Sequence, residues 1–188
     1  MKYFLDTEFI EGFHKPMFGK RRHFIDLISI GIVSEDNRAL YFISSEWNYK
    51  DADKWVQENV IIPAYMNAVS GDARNQCDAS NFHKRGFGET LEEITRRVFK
   101  FMMPAGDFSP IEVYGYYADY DWVLFASLFG RMIDLPKMFP MYCNDIKQMM
   151  HEKGVDSNHP ECPKQKNNHI SLHDAAWNKS AYEWLQTI

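Results

Sequence analysis

The spacing of apolar residues along this chain predicts strands first and helices later. Residues 2–9 form an apolar run that two acidic residues interrupt, and residues 24–33 are almost continuously apolar, as is typical of a strand covered on both faces. A turn signal at residues 35–37 precedes a third strand at residues 39–44. The chain therefore opens as an antiparallel meander.

Helical spacing dominates the rest of the chain. A capping box at residues 90–93 precedes an apolar stripe that is typical of a helix facing a core. The other predicted elements are a fourth strand at 111–117 and helices at 51–60 (ended by Pro63), 121–129, 145–153 and 171–186. Residues 10–22 are interpreted as a loop, and residues 64–88 as an insertion in one domain that spans 1–188. This order predicts an α/β fold with a mixed sheet and helices on its faces.

The two acidic residues of the first strand are the first candidates for chemistry. Side chains alternate along a strand, so Asp6 and Glu8 point to the same face and Thr7 to the other. Two like charges beside a core are costly unless a cation lies between them, and carboxylate oxygens bind divalent metals. The alternative is a strand that ends at the surface with two solvated acids.

Composition and net charge limit the functional classes to which this protein can belong. The net charge of −5 argues against a protein that coats nucleic acid electrostatically, although a metal-dependent nuclease remains compatible with it. The three cysteines are widely spaced and predict free thiols in a reducing cytosol. We find neither a signal peptide nor an apolar run long enough to span a membrane, so a cytoplasmic protein without a membrane partner is expected.

Three motifs occur in an informative order: Asp6 and Glu8 on a strand, Asp121 at a helix start after a strand, and His173 followed by four residues and Asn178. In this order the chain resembles the DnaQ-like 3′–5′ exonucleases of the DEDDh group. It is most similar to the RNase AS family of mycobacterial poly(A)-directed exoribonucleases. The matching blocks lie at 3–11, 26–33, 111–121 and 172–175. The resemblance implies a ribonuclease H-like fold.

The resemblance also implies roles for these residues. Asp6 would bridge two divalent cations, Mg²⁺ or Mn²⁺, which hard oxygen ligands favour. Glu8 and the residue at position 178 would hold the cation that activates water, and Asp121 the cation on the leaving-group side. His173 would accept the proton from the water, because an ordinary imidazole pKa of about 6.5 suits a base near neutral pH.

Position 178 departs from the family pattern, which has Asp where this chain has Asn. A neutral amide is a poorer metal ligand, so the resemblance implies a reduced rate. An engineered change and a natural one both remain open. Asp174 is either a substitute ligand or a capping residue of the Ser171–Asp174 box. Five residues along a helix turn through about 500°, so we expect His173 to lie before the helix, where it converges with Asn178.

Two further assignments depend on spacing. Asp119 competes with Asp121 for the second-motif position, and the distance from the preceding strand favours Asp121. His169 is close to His173 in the sequence, but only His173 has the family spacing to Asn178.

The residues after the first motif are candidates for substrate binding. In related enzymes they line the pocket of the terminal base, so Phe9, Ile10 and Glu11 are expected to contact the 3′ nucleotide; Phe9 as a core residue is the alternative. Basic residues that could contact phosphates, or simply be solvated, are Lys20, Arg21, Arg22, Lys84 and Arg85.

The sequence thus predicts a metal-dependent 3′–5′ exonuclease that degrades single-stranded RNA to nucleoside 5′-monophosphates. The preference for RNA over DNA follows from the resemblance alone, and so does a homodimer. The alternative class is a non-catalytic nucleotide- or nucleic-acid-binding protein in which Asn178 is native.

Overall fold

The fold is known from a computed structural model, which describes residues 1–14, 18–68, 88–104, 110–165 and 169–188. Five strands form one sheet in the order β3-β2-β1-β4-β5. The strands are β1 (Lys2–His14), β2 (Arg22–Ser34), β3 (Ala39–Ile43), β4 (Glu112–Gly115) and β5 (Asn144–Asp145). The first three pair antiparallel, whereas β4 is parallel to β1 and β5 is parallel to β4. The predicted mixed sheet is confirmed.

Helices cover both faces of the sheet. They are α1 (Lys54–Val56), α2 (Ile62–Ala68), α3 (Leu91–Met102), α4 (Asp119–Ser127), α5 (Ile146–Glu152) and α6 (Ser171–Leu185). A π-helical turn, Gln57–Ile61, joins α1 to α2, and short 3₁₀ turns occupy Tyr49–Asp51 and Met132–Asp134. In the part of the chain that the structure describes, no helix has the length and apolarity needed to cross a bilayer.

The alternation along β1 divides the core between the two faces. Tyr3 and Leu5 pack on one face with α3 and α4, and their cluster includes Val98 and Phe125. Phe4 lies on the other face, in a cluster with residues of α5 and α6 such as Trp177. Because Asp6 and Glu8 follow Phe4 at intervals of two, they belong to the face that α6 covers.

Several predicted boundaries were wrong. β1 continues to His14 and pairs with the start of β2, so residues 10–14 are strand and not loop. Pro63, expected to end a helix, lies within α2, which directly follows the π-helical turn. A proline has no N–H to donate, and a π turn shifts the hydrogen-bonding pattern just before it. Strand β5 was not predicted. Most of the predicted insertion, residues 69–87, lies outside the described residues.

Candidate active site

The middle of β1 presents two carboxylates towards the last helix. Asp6 pairs with Gly31 of β2, and Glu8 pairs with Ser29, just before a register shift between Glu8 and Phe9. Both paired residues of β2 lie under the beginning of α6. The position of α6 therefore decides which of its side chains meet the carboxylates.

The first turn of α6 lies directly on β2. A Cβ atom added at Gly31 would come within 2.3 Å of the Ser171 carbonyl, so only glycine permits this approach. The hydroxyls of Ser29 and Ser171 are 3.0 Å apart and form a buried hydrogen bond across the same contact. These contacts fix the distance of the first turn from the sheet and its rotation about the helix axis.

Asp174 is thereby brought to the carboxylates of β1. Ligand oxygens of Asp6, Glu8 and Asp174 all lie within 4.8 Å of one another, and among the described residues they form the one group of this kind that could hold a metal ion. Glu8 and Asp174 are buried. Three carboxylates at such distances repel one another strongly unless protons or cations lie between them.

The pKa values reflect this crowding. Burial, followed by the carboxylates of Asp121, Glu8 and Asp174, raises the pKa of Asp6 well above its ordinary value. Burial and then the charges of Asp174 and Asp121 raise the pKa of Glu8 to about 8. The cluster therefore favours bound protons or a cation near neutral pH.

Asp121, the second-motif candidate, reaches the cluster from α4. Its Oδ1 accepts hydrogen bonds from the backbone N–H of Thr7 at 3.0 Å and from the Thr7 hydroxyl at 2.5 Å. Burial raises the pKa of Asp121 to about 7, although the Thr7 hydrogen bonds oppose the shift. The rival candidate, Asp119, is exposed, so it is Asp121 that faces the cluster.

Hydrogen bonds from the segment before α6 hold Asp174 in place. Its Oδ2 accepts from the backbone N–H of His169 at 2.9 Å, and its Oδ1 accepts from the Gln165 amide at 2.5 Å. The predicted capping box was wrong, because Ile170 is the N-cap and no side chain caps the helix. Both oxygens of Asp174 thus accept hydrogen bonds from this segment, and one of them also lies within 4.8 Å of ligand oxygens of Asp6 and Glu8.

His169 lies next to the cluster, although its position in the sequence argued against it as the base. Its backbone has a positive φ of 68°, which is uncommon for a non-glycine residue, and the conformation brings the ring towards β1. The Nδ1 atom lies 3.9 Å from Oε2 of Glu8, and 42% of the side chain is exposed. Its ring also meets the ring of Trp55 edge to face, with centroids 5.1 Å apart.

His173 lies in a different environment from the one predicted. It belongs to the first turn of α6, and its backbone N–H donates to the Ile170 carbonyl at 2.7 Å. The expectation that it precedes the helix was therefore wrong. Its Nδ1 is buried and has no hydrogen-bond partner among the described residues.

Asn178, the expected metal ligand, has a structural contact instead. It is 1% exposed, and its Nδ2 donates a 2.8 Å hydrogen bond to the backbone carbonyl of Leu5. An aspartate in this position would have no hydrogen to donate to that carbonyl. The amide therefore suits the contact that it makes, and Asp174 is the carboxylate that α6 brings to the cluster.

A pair with the family spacing was thus missed in the sequence. His169 is followed by four residues and then Asp174, the same spacing that was assigned to His173 and Asn178. In this earlier pair the second residue is an acid, as the family pattern requires. The sequence therefore contains a second candidate for the third motif, and this candidate has the expected acid.

A cavity of about 340 Å³ adjoins the cluster, and its wall includes the residues expected to contact the 3′ nucleotide, Phe9, Ile10 and Glu11, together with Glu8 and His169. Phe9 is also partly buried against the core, and its ring stacks on Tyr120 with centroids 5.5 Å apart. Phe9 therefore lies at the cavity and also packs against the core, and its contact with a nucleotide stays a prediction.

The basic residues before and at the start of β2 are exposed. They are Lys20, Arg21 and Arg22, of which Arg21 lies over the Phe13 ring at 4.4 Å. The other two predicted phosphate contacts, Lys84 and Arg85, lie outside the described residues.

Comparison of the sequence with known proteins identifies its family. Residues 1–186 match the family model described as the 3′–5′ exoribonuclease Rv2179c-like domain. Two relatives from Mycobacterium tuberculosis, the 3′–5′ exoribonucleases Rv2179c (strain H37Rv) and MT2234.1 (strain CDC 1551), are each 30% identical over 175 residues, which is 93% of this chain and 84% of theirs. The exoribonuclease resemblance is thus confirmed, and the chain belongs to the Rv2179c-like 3′–5′ exoribonuclease domain family.

Proposed function

We propose that this protein is a metal-dependent 3′–5′ exoribonuclease that hydrolyses single-stranded RNA to nucleoside 5′-monophosphates. The observation that carries the proposal is the convergence of Asp6, Glu8 and Asp174 within 4.8 Å in a chain of this family. Such a cluster of acids has little structural value by itself, because burial makes each charge costly.

The donor set fits divalent cations. It consists of carboxylate oxygens whose pKa values are raised by burial and by one another, so a bound cation would relieve the repulsion. Asp6, Glu8 and Asp174 would hold one Mg²⁺ or Mn²⁺, and Asp6 and Asp121 a second. When bound, the pair supplies an activated water and neutralises charge on the leaving oxygen.

His169 is the general base in this proposal. Its Nδ1 lies 3.9 Å from Glu8, so the ring is next to the carboxylate that would hold the water-activating cation. The partly exposed ring can pass the proton that it accepts to solvent. His173 lacks both features, since its Nδ1 is buried without a partner among the described residues.

The assignment of Asp174 removes the reason to expect a disabled enzyme. The acid that was thought to be missing at position 178 is supplied at position 174. Asn178 then has a purely structural role through Leu5, and the chain as written is expected to be active.

The 3′-terminal nucleotide would occupy the cavity beside the cluster, against Phe9, Ile10 and Glu11. The choice of RNA as substrate rests on the relatives, which are named exoribonucleases. The homodimer and the cytoplasmic location expected from the sequence stay predictions, and light scattering of the purified chain would test the first.

The test is an assay on 5′-labelled single-stranded RNA and a DNA of matched sequence, with Mg²⁺, with Mn²⁺ and with a chelator. The chain as written should shorten the RNA one nucleotide at a time from its 3′ end, only when a cation is present. Asp121→Asn should abolish most of the activity, whereas Asp119→Asn, a matched change at an exposed position two residues earlier, should leave it intact.

Each contrary outcome has a defined meaning. Shortening of the DNA at the same rate would overturn the RNA preference. Binding of both polymers without turnover at saturating Mn²⁺ would favour the non-catalytic binding protein. Equal losses in the two aspartate variants would contradict the assignment of Asp121.

A further inference from the structure

The edge of the sheet at β3 is open along part of its length. β3 is the outermost strand, and its ladder with β2 continues in a hydrogen bond from the Ser44 N–H to the Ile28 carbonyl at 2.8 Å. Because hydrogen-bonded and non-hydrogen-bonded pairs alternate along an antiparallel ladder, the N–H and C=O groups of Ala39 and Tyr41 point away from β2. No described residue pairs with these groups, so they are free to bind an added strand.

The far end of the same edge already pairs with another part of the chain. The Glu89 N–H donates to the Ile43 carbonyl at 2.8 Å, and the Ser45 N–H donates to the Glu89 carbonyl at 2.9 Å. Gly88 approaches so closely that an added Cβ atom would lie 2.8 Å from the Ile43 carbonyl oxygen. In the described part of the chain, the edge is therefore closed beside Ile43 and open beside residues 39–42.

A groove of about 590 Å³ runs between the open edge and a helix. Its walls, which define the β3–α3 groove, are residues 39–42 of β3 and Arg96, Arg97, Lys100 and Phe101 of α3. An extended peptide that adds to a sheet forms backbone hydrogen bonds with the edge strand, and its alternate side chains occupy the pockets beside that strand. The β3–α3 groove offers both kinds of contact.

Two arginines connect the walls of the β3–α3 groove. The Arg38 guanidinium, just before β3, lies over the Phe101 ring at 4.9 Å, and its Nη1 donates to the Phe101 carbonyl at 3.0 Å. The Arg97 guanidinium lies over the Phe42 ring at 5.3 Å. A groove that is already formed costs little ordering when a ligand binds.

The helical wall is positively charged, in a chain whose net charge is −5. Arg96, Arg97 and Lys100 are all exposed, and one acid, Glu93, pairs with both arginines at 2.7 and 2.6 Å. Three cations against one carboxylate leave an excess of positive charge that attracts an acidic ligand. A second copy of the chain, paired edge to edge through β3, would instead bring two such basic walls together.

We propose that the β3–α3 groove binds an extended acidic segment of a partner protein, which adds to β3 as a further strand. Alternate side chains of that strand point towards α3, so carboxylates at every second position would meet the basic wall. Single-stranded RNA fits this edge less well, because phosphate oxygens only accept hydrogen bonds and would leave the Ala39 and Tyr41 carbonyls unpaired. The docking does not depend on the exoribonuclease function.

Fluorescence anisotropy tests the added strand with a short labelled peptide in which glutamate alternates with valine. Replacement of every glutamate by glutamine should weaken binding at least about tenfold. N-methylation of all glutamates or of all valines blocks one edge of the peptide or the other, so one methylated peptide should lose binding and the other keep it. Equal effects of the two methylations, or no binding of the glutamate peptide at about 1 mM, would overturn the proposal.

Variants of the groove test the same contact from the side of the protein. Ala39→Pro removes one outward N–H and leaves the ladder with β2 intact, because proline is tolerated at the first residue of an edge strand. It should weaken binding of the glutamate peptide roughly 2- to 10-fold, whereas Ala39→Val, which keeps the N–H, should not. Lys100→Glu should weaken it roughly 3- to 30-fold, and Lys153→Glu, at an exposed lysine beyond α5, should not. Unchanged binding in both Ala39→Pro and Lys100→Glu would overturn the proposal.

Two other occupants of the groove would also overturn it. One is RNA, if single-stranded RNA displaces the peptide from Asp121→Asn in a chelator and Lys100→Glu weakens both ligands equally. The other is a second copy of the chain, if light scattering shows a dimer that Ala39→Pro dissociates. Asp121→Asn alone should bind the peptide as the unmodified chain does, so the docking is measured whether or not the protein shortens RNA.

Discussion

Two residue pairs at the start of α6 have the same spacing and different surroundings. In the first pair, His169, which precedes the helix, and Asp174, in its first turn, lie against the carboxylates of β1. One turn further, Asn178 is buried and hydrogen-bonded to the backbone of the strand. The helix thus changes within four residues from a charged surface to a packed one, and the difference teaches that spacing alone does not identify a catalytic pair.

Among the substitutions that test this comparison, we expect Asp174→Asn to lower the rate of cleavage most. Asp174→Asn keeps the shape of the side chain but removes a charged ligand, and loss of several kcal/mol of charge stabilisation corresponds to a rate about a thousandfold lower. The measurement is single-turnover cleavage of labelled RNA in Mg²⁺, with folding checked by circular dichroism. A variant that retains more than a tenth of the rate would show that the cluster works without this residue.

Substitution of His169 should lower kcat by a smaller factor, and substitution of His173 should hardly change it. His169→Ala should lower kcat about a hundredfold, the lower end for a general base, because the ring beside Glu8 is removed. His173→Ala should change kcat little, since its Nδ1 is buried and has no hydrogen-bond partner among the described residues. Steady-state kinetics of both variants test this, and the reverse order would restore His173 as the base.

The two residue pairs also show which features of the site can be predicted from the sequence and which cannot. Alternation along β1 correctly placed Asp6 and Glu8 on one face, because that periodicity is local. Which residues of α6 meet them depends on the contact between Gly31 and the Ser171 backbone, about 140 residues apart in the chain. No local spacing encodes that contact.

The same reasoning explains the errors at the ends of β1 and β2. Residues 10–14 look irregular by themselves, but pairs such as Gly12 with Phe24 extend the ladder. A strand of this kind is defined by its partner more than by its own propensity. The motifs at Asp6, Glu8 and Asp121 could be found without the structure, because their order along the chain is itself informative.

The second turn is tested by Asn178→Asp. An aspartate oxygen would face the Leu5 carbonyl, so this hydrogen bond would be lost and a charge buried, at a cost of about 3 kcal/mol in the free energy of unfolding. Urea unfolding measures it, and Asn158→Asp, at an exposed position, should stay within about 0.5 kcal/mol of the unmodified chain. Unchanged stability with faster turnover would instead restore position 178 as the third-motif acid.

The last prediction concerns the pH dependence of the protein without metal, which should come from the carboxylates that meet at the first turn of α6. The pKa of Glu8 is raised to about 8, against about 4.3 for an ordinary glutamate, so between these values the native state binds a proton that the unfolded state has released. The free energy of unfolding should therefore fall as the pH rises from about 5 to 8, by as much as about 4 kcal/mol for this one group, and Tm should fall by roughly 10 °C.

Variants and added cation locate the source of that slope. Glu8→Gln should reduce the slope and leave the part that comes from Asp6 and Asp121, whose pKa values are also raised, whereas Glu92→Gln, at an exposed position on α3, should leave it unchanged. Mn²⁺ binds the deprotonated carboxylates, so it should stabilise the chain more at pH 8 than at pH 5, opposing the fall. A slope that Glu8→Gln leaves at its full size would show that Glu8 does not hold one of the protons and would contradict its place in the cluster. Asn178 does not titrate, so it contributes nothing to the slope.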